Sequence, residues 1–200
     1  MVSDPYASKF WQKSFDPHVK THFDYPEDKT FTDLFREAVN DVPDITAVYY
    51  TGQSITFREL DALSNRFANF LLKQGMQPGD VVGVYSLNVP AYYIAIPGIS
   101  KAGCVLSGIS PLLTPRELEY QLKDSGAKIL VALDLFWGNI SQVLDKVKLK
   151  AVVLTGFNDF TPAGDAQPVN LPAAEGATVL RFTDLMKEYH IDPVHVELKG

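Results

Sequence analysis

Cysteine and positive charge are both scarce in this chain of 200 residues, and each shortage excludes a class of protein. Cys104 is the single cysteine, so an internal disulfide cannot form and a reducing compartment is favoured. The 18 basic residues are outnumbered by 24 acidic residues, which gives a net charge of −6. Because nucleic-acid binding usually requires a clustered basic surface, no nucleic-acid partner is expected.

Long apolar runs and targeting signals are also missing from the sequence. The apolar run at 129–137 is short and contains Asp134, so no transmembrane segment is predicted. Charged residues interrupt the N-terminus where a secretory signal needs an apolar stretch: Asp4, Lys9, Lys13 and Asp16. We therefore expect a soluble cytoplasmic protein, and peripheral association with a membrane stays open.

Glycine-rich loops that grip phosphate groups are not recognisable. The segment 98–103 has two glycines at the spacing of a Walker loop, but Cys104-Val105 follow in place of the required lysine and hydroxyl residue. This segment is better interpreted as the end of a helix that leads into a strand. Since G-x-G-x-x-G is absent too, no dinucleotide cofactor is expected.

Residue types that often carry chemistry do not form a recognisable site. His18 and His22 are four apart, but their segment lacks helical periodicity, so we interpret them as surface residues. Cys104 has no neighbouring base and is predicted to be a buried, inert thiol. The acidic residues are scattered, and most are expected on helix surfaces or in caps: Asp61, Glu117, Glu119, Asp124 and Asp134. We assign no catalytic, cofactor-binding or metal-binding residue.

Strand and helix patterns alternate between about residues 80 and 155. Buried strands are predicted at 81–85, 104–109, 129–133 and 151–155. The intervening helices are expected to begin after Asn88 and Thr114 and to span 140–147, with a kink at Pro97 in the first of them. This alternation predicts an α/β fold, with helices packed on a mostly parallel sheet.

Two earlier helices and a hairpin are predicted from capping and turn signals. Thr30 precedes Asp33, and Thr56 precedes Glu59, at the three-residue spacing of a helix cap. Gly52-Gln53 lies between two short runs of strand-forming residues, which predicts a tight hairpin turn.

Composition divides the chain into three parts. Residues 1–30 are rich in aromatics and broken by prolines, which predicts an extended arm that lies on the domain. Residues 31–155 form the α/β core. Residues 156–200 are expected to form a long polar loop, a short helix at 181–189 and an extended tail.

An ordered set of segments resembles the adenylate-forming (AMP-binding) enzymes, and within them the long-chain fatty acyl-CoA synthetases. The segment 54–60, SITFREL, is similar to the motif T-[YF]-x-E-L, and 101–103 with 110–111 is similar to K-A-G…[NS]-P. The likeness continues through TPREL and DSGAK, and WQKSFD at 11–16 resembles the leader of the long-chain branch. Pro97-Gly98 departs from the family pattern. Because these motifs are also explained as helix caps and stops, we assign catalysis to none of them.

The resemblance implies that the chain is an incomplete, N-terminal portion of the large domain of such an enzyme. The parent enzyme would activate a fatty acid with ATP and Mg²⁺ to an acyl-adenylate and then form the acyl-CoA with coenzyme A. The family's Ser/Thr/Gly-rich loop, its acidic motif and its C-terminal lysine are absent from this sequence. We therefore expect this fragment to be inactive and to bind no cofactor, with the rest of the enzyme following the tail. A homo-oligomeric parent is compatible with the sequence.

Two alternatives stay open from the sequence. The chain could belong to another adenylate-forming ligase, one that acts on an aryl or short-chain acid or on an amino acid. It could instead be a non-catalytic α/β module that binds a partner protein through the aromatic arm.

Overall fold

The structure, a computed structural model, describes residues 6–22, 28–161, 171–172 and 176–196. Within these residues the strands are Thr46–Tyr50 (β1), Gln53–Thr56 (β2), Val81–Tyr85 (β3), Val105–Ile109 (β4), Ile129–Leu133 (β5), Ala151–Thr155 (β6) and Thr178–Arg181 (β7). The α-helices are Phe31–Asp41 (α1), Phe57–Lys73 (α2), Pro90–Lys101 (α3), Pro115–Ser125 (α4), Trp137–Ile140 (α5) and Phe182–Glu188 (α6).

A five-stranded parallel sheet, in the order β4-β3-β5-β6-β7, forms the centre of the fold. Strands β5 and β6 are buried at every residue, because helices cover both faces of the sheet. Helices α2, α3 and α6 pack into the core on one face, whereas α4 and α5 pack into the core on the other. The predicted α/β fold is confirmed.

The capping signals in the sequence are confirmed in atomic detail. Thr30, Thr56 and Thr114 each accept a hydrogen bond from the backbone N–H three residues later, and the acidic side chain at that position accepts from the cap residue in return. Gly126 ends α4 in the left-handed conformation at φ 65°, which a glycine adopts without strain.

Three local predictions were wrong in position or type. The hairpin turn consists of Thr51 and Gly52, both at positive φ, one residue earlier than expected. Helix α3 begins after Val89 instead of Asn88, because Pro90 supplies a fixed φ at the first helical position. The helix expected at 140–147 is replaced by the end of α5 and a 3-10 turn, although its apolar residues are buried at helical spacing: Ile140, Val143, Leu144 and Val147.

The described part of the N-terminal segment, residues 6–22, has its aromatic rings exposed, and the arm expected over 1–30 stays a prediction. Phe10–Ser14 forms a 3-10 turn, and Tyr6, Phe10 and Trp11 remain exposed. Their rings pack on one another, with centroids 5.5–6.4 Å apart. These ring contacts lie within the segment itself. Phe23 and Tyr25, also assigned to the arm, lie outside the described residues.

The sheet continues past residue 155, where we expected the core to end. Strand β7 pairs with β6, and Phe182 at the start of α6 is buried against Phe67 with ring centroids 5.2 Å apart. At the sheet edge opposite β7, β4 has only one neighbouring strand, so Val105 and Leu106 are exposed. The prediction that this strand is buried was wrong. No helix of the described residues is long and apolar enough to cross a membrane.

Candidate functional site

A polar cluster, buried except at Asp134, lies at the carboxyl ends of β5, β6 and β7. Ligands of open α/β sheets usually bind beyond this edge, so the cluster is a candidate site by its position. Its members come from the ends of three strands and from the loop after β6: Asp134, Thr155, Gly156, Asp159 and Arg181. Their positions follow from the parallel sheet, which brings the carboxyl ends of its strands to one edge.

Arg181 is the centre of this cluster, and its side chain is only 8% exposed. Its Nη1 donates to Oδ2 of Asp134 at 3.2 Å, and its Nη2 donates to Oδ1 of Asp159 at 2.5 Å. The second oxygen of Asp159 accepts from the Thr155 hydroxyl at 2.9 Å and from the Gly156 N–H at 2.8 Å. One guanidinium therefore joins the loops that follow β5 and β6.

Gly156 is needed for this close arrangement. A Cβ at this position would lie 2.8 Å from Nη2 of Arg181 and 3.0 Å from Oδ2 of Asp134. Such distances are shorter than normal van der Waals contact, so a larger residue would push the ion pair apart. The glycine permits the guanidinium to pass directly beside the backbone.

This cluster has a structural role, because Arg181 holds the loops after β5 and β6 together. We call Arg181 with Asp134, Thr155, Gly156 and Asp159 the Arg181 clamp. Both terminal nitrogens of Arg181 already bind carboxylates, while its Nε is buried without a hydrogen-bond partner. Asp159 is likewise engaged on both oxygens. Across the part of the chain that the structure describes, no group of three or more His, Cys, Asp or Glu residues is placed to hold a metal ion. The two carboxylates at this edge, Asp134 and Asp159, are both paired with Arg181.

A second polar cluster surrounds the buried ammonium of Lys101. Its Nζ lies 2.7 Å from Oδ1 of Asp61, 2.7 Å from Oγ of Ser64 and 2.7 Å from Oδ1 of Asn65, and 5.1 Å from the centre of the Phe35 ring. Burial lowers the pKa of Lys101, while the hydrogen bond and charge of Asp61 act in the opposite direction. Sequence reasoning missed this cluster, because it treated Asp61 as a surface residue.

An open cleft of about 690 Å³ lies between α2, β2 and α6. Its apolar wall includes Ile55, Leu63, Phe160 and Met186. Arg66 and Lys187 contribute positive charge to the lining. The volume is within the range of small-molecule sites, which is roughly 300–1,000 Å³.

The residues that the sequence singled out are dispersed over the fold. Cys104 is buried, and burial raises the pKa of its thiol to about 11, which is the state of an inert cysteine. Glu117 caps α4, and the hydrogen bond from the Thr114 N–H lowers its pKa. Glu119 pairs with Lys123 on the surface of the same helix.

The segment 98–103 is the end of a helix and the turn that follows it, as predicted. Helix α3 continues through Pro97 and Gly98 to Lys101, and the predicted kink at Pro97 stays a prediction. Gly103 turns the chain at φ 71°, and its carbonyl accepts from the Gly79 N–H. The only ammonium in this segment is that of Lys101, which already contacts oxygens of α2.

Comparisons of sequence identify similar proteins. The sequence profile of the AMP-binding enzymes matches residues 35–187. A long-chain-fatty-acid–CoA ligase of Escherichia coli O6:H1 is 32% identical over 184 residues, which is 92% of this chain and 32% of the relative. Surfactin synthase subunit 2 of Bacillus subtilis is 42% identical over 106 residues, which is 53% of this chain and 3% of the relative.

A comparison of structures finds the same fold in larger proteins. The crystal structure of an anthranilate CoA ligase in complex with anthranoyl-AMP superimposes with a TM-score of 0.71 at 22% sequence identity. The match covers 86% of this chain and 30% of that one. The chain spans about a third of the length of the fatty-acid ligase that it matches over 92% of its residues.

Proposed function

Since the chain belongs to the family of AMP-binding enzymes, we propose that it is part of a ligase that activates a fatty acid with ATP and forms an acyl-CoA. The observation that carries this proposal is the 32% identity to a long-chain-fatty-acid–CoA ligase over 92% of the chain. The activity, substrates and partners are proposed for the whole protein, because the chain spans about a third of that relative.

The proposed reaction has two steps. The fatty carboxylate attacks the α-phosphorus of ATP, so that a carboxyl–phosphate bond forms and pyrophosphate leaves. The thiol of coenzyme A then attacks the acyl carbonyl, its proton is lost, and AMP leaves. Mg²⁺ would offset the charge of the phosphates in the first step. Asp134 and Asp159, the carboxylates at the carboxyl edge of the sheet, are paired with Arg181, so neither is assigned to the ion.

These 200 residues contribute scaffold to the proposed enzyme. The Arg181 clamp fixes the loops at the carboxyl edge of the sheet, which is the edge where α/β proteins usually bind ligands. Lys101 lies between Gly98 and Gly103 in the sequence. Its ammonium is buried among oxygens of α2 and is not available to a phosphate. Both observations support the proposal that acid activation needs residues other than these 200.

A second candidate is an amino-acid-activating enzyme. The 42% identity to surfactin synthase subunit 2 favours it, although that match covers only 53% of this chain. An aryl-acid ligase is a third possibility within the same family, and the fold match to an anthranilate CoA ligase is its support. All three would form an adenylate, so the acid that is activated distinguishes them.

The test is acid-dependent exchange of pyrophosphate into ATP by the longest protein that carries this chain. A panel of decanoate, palmitate, benzoate, anthranilate and the twenty amino acids separates the three candidates. We expect exchange with the fatty acids, and none with the purified 200-residue chain under the same conditions. Exchange with an amino acid alone would refute the fatty-acid assignment, and exchange by the isolated chain would refute its scaffold role.

We also propose that the whole protein works in the reducing environment of the cytoplasm. The support is that the single cysteine of this chain, Cys104, is buried and unpaired with another thiol. Cell fractionation with an antibody against this chain would test the location, and recovery in a secreted fraction would contradict it.

A further inference from the structure

After α6, residues 189–194 run along α1 and α2 and form a segment that we call the strap. Its backbone carbonyls are held by side chains of the two helices. The hydrogen bonds are Arg66 Nη1 to Tyr189 O (2.7 Å), Asn69 Nδ2 to His190 O (3.1 Å) and to Asp192 O (2.9 Å), Asn65 Nδ2 to Ile191 O (3.0 Å), and Arg36 Nη2 to Val194 O (3.0 Å). The strap is therefore docked through its main chain.

Two side chains of the strap add apolar anchors at its ends. The Tyr189 ring packs edge-on against Phe70 with centroids 5.6 Å apart, and Val194 is only 6% exposed. Ile191, in the middle, is 50% exposed, although its carbonyl is one of the bound groups. The position of the middle of the strap therefore depends on the side-chain amides of α2.

Asn65 can hold the strap only if its amide has one orientation. Its Oδ1 accepts from Lys101 Nζ at 2.7 Å, which leaves Nδ2 to face Oδ2 of Asp61 at 3.2 Å and the Ile191 carbonyl at 3.0 Å. A reversed amide would place an acceptor against both of these oxygens and an N–H against the ammonium. The ammonium of Lys101 and the carboxylate of Asp61 therefore both favour the orientation that binds the strap.

Lys101 is itself held firmly enough to do this. Its side chain is only 1% exposed, and its Nζ also contacts the Asp61 carboxylate and the Ser64 hydroxyl at 2.7 Å each. Loss of these partners would leave the buried ammonium unpaired and would raise the free energy of the folded state. The cluster therefore has one favoured geometry. Lys101 lies on α3 and does not touch the strap through any of these bonds.

We propose that Lys101 is a positioning residue for the strap and that it acts through the Asn65 amide. Loss of the lysine removes the contact at Oδ1 that helps to fix the amide, weakens its bond to Ile191 and allows the strap to leave α2. This role concerns the conformation of the chain and does not depend on which acid the whole protein activates.

The test measures how often the strap opens. In this chain with Cys104→Ala and Val194→Cys, the single thiol is buried at the end of the docked strap and reacts with a thiol reagent only when the strap leaves. We expect Lys101→Met to raise the labelling rate at least about tenfold, as loss of a charged hydrogen bond does. Ile140→Val, which removes a buried methylene on the other face of the sheet, should change the rate less than about threefold.

A double-mutant cycle separates positioning from general support. Asn65→Leu alone should raise the rate about as much as Lys101→Met, and the two changes together should raise it no further than either one. Independent, multiplying effects would overturn the proposal, as would an unchanged rate in Lys101→Met. If Lys101→Met does not fold, Asn65→Leu still tests the step through Asn65, because normal strap labelling in that variant would also overturn the proposal.

Discussion

Gly98 allows α3 to pack closely on α2, and replacing it with alanine is expected to destabilise the fold. A Cβ at this position would lie 2.9 Å from the Ser64 carbonyl oxygen, 2.9 Å from Cδ1 of Phe67 and 3.0 Å from its Cβ. Phe67 is completely buried, and the carbonyl belongs to the α2 backbone, so neither can yield easily.

The magnitude follows from two opposed effects. Overpacking a buried contact costs about 1–3 kcal/mol, and the contact with a backbone atom places Gly98→Ala in the upper part of that range. The gain in helix propensity from glycine to alanine returns about 1 kcal/mol. The expected net loss is therefore about 1–2 kcal/mol of unfolding free energy.

Urea denaturation with a matched control measures this difference. With a slope of about 2 kcal/mol per molar urea, the midpoint of Gly98→Ala should fall by roughly 0.5–1 M. Gly138 also lies in a helix, α5, but a Cβ there would meet nothing within 4 Å. Gly138→Ala should therefore leave the midpoint unchanged or raise it slightly. A Gly98→Ala protein as stable as the parent would refute the close-packing argument.

Three further predictions concern other sites. Gly156→Ala should cost about 1–3 kcal/mol in urea unfolding, because its Cβ would meet Arg181 at 2.8 Å, and a neutral result would show that the clamp is not tightly packed. Cys104 should react with iodoacetamide in the folded chain only as pH approaches about 11, and rapid alkylation at pH 8 would contradict its burial. The hydrogen bond from Lys128 lowers the pKa of Asp80 in the folded chain. The stability that this pair contributes is therefore fully present above the ordinary pKa of an Asp side chain, and it is lost as pH falls through the lower pKa of the folded chain. Asp80→Asn should accordingly flatten the acid limb of a stability–pH curve below about pH 4, and an unaltered limb would exclude the pair as its source.

Local signals in the sequence predicted the parts of the fold that depend on neighbouring residues. The cap residue Thr114 and its partner Glu117 are three positions apart, so both ends of the interaction are visible in one short segment. Strands β5 and β6 were also predicted with their observed bounds, because a strand buried on both faces is a continuous apolar run. The missed edge position of β4 depends on strand order, which no short segment reveals.

Interactions between distant residues were not predictable in this way. Lys101 binds oxygens of α2 that lie some 40 positions earlier, and only the packing of α3 on α2 brings them together. The Arg181 clamp depends on β7, which was not recognised as a strand. Both clusters are assembled by the tertiary fold. The local sign of the second cluster in the sequence is a charged residue, Lys101, close to apolar residues such as Ile99.

The acid that the whole protein activates is identified most directly by competition in a single reaction. The longest protein that carries this chain is incubated with ATP, Mg²⁺, coenzyme A and an equimolar mixture of palmitate, anthranilate and the twenty amino acids, and its products are read by mass spectrometry. We predict palmitoyl-adenylate and palmitoyl-CoA as the main products. An aminoacyl-adenylate without any CoA thioester, or anthraniloyl-CoA in place of palmitoyl-CoA, would contradict the fatty-acid ligase.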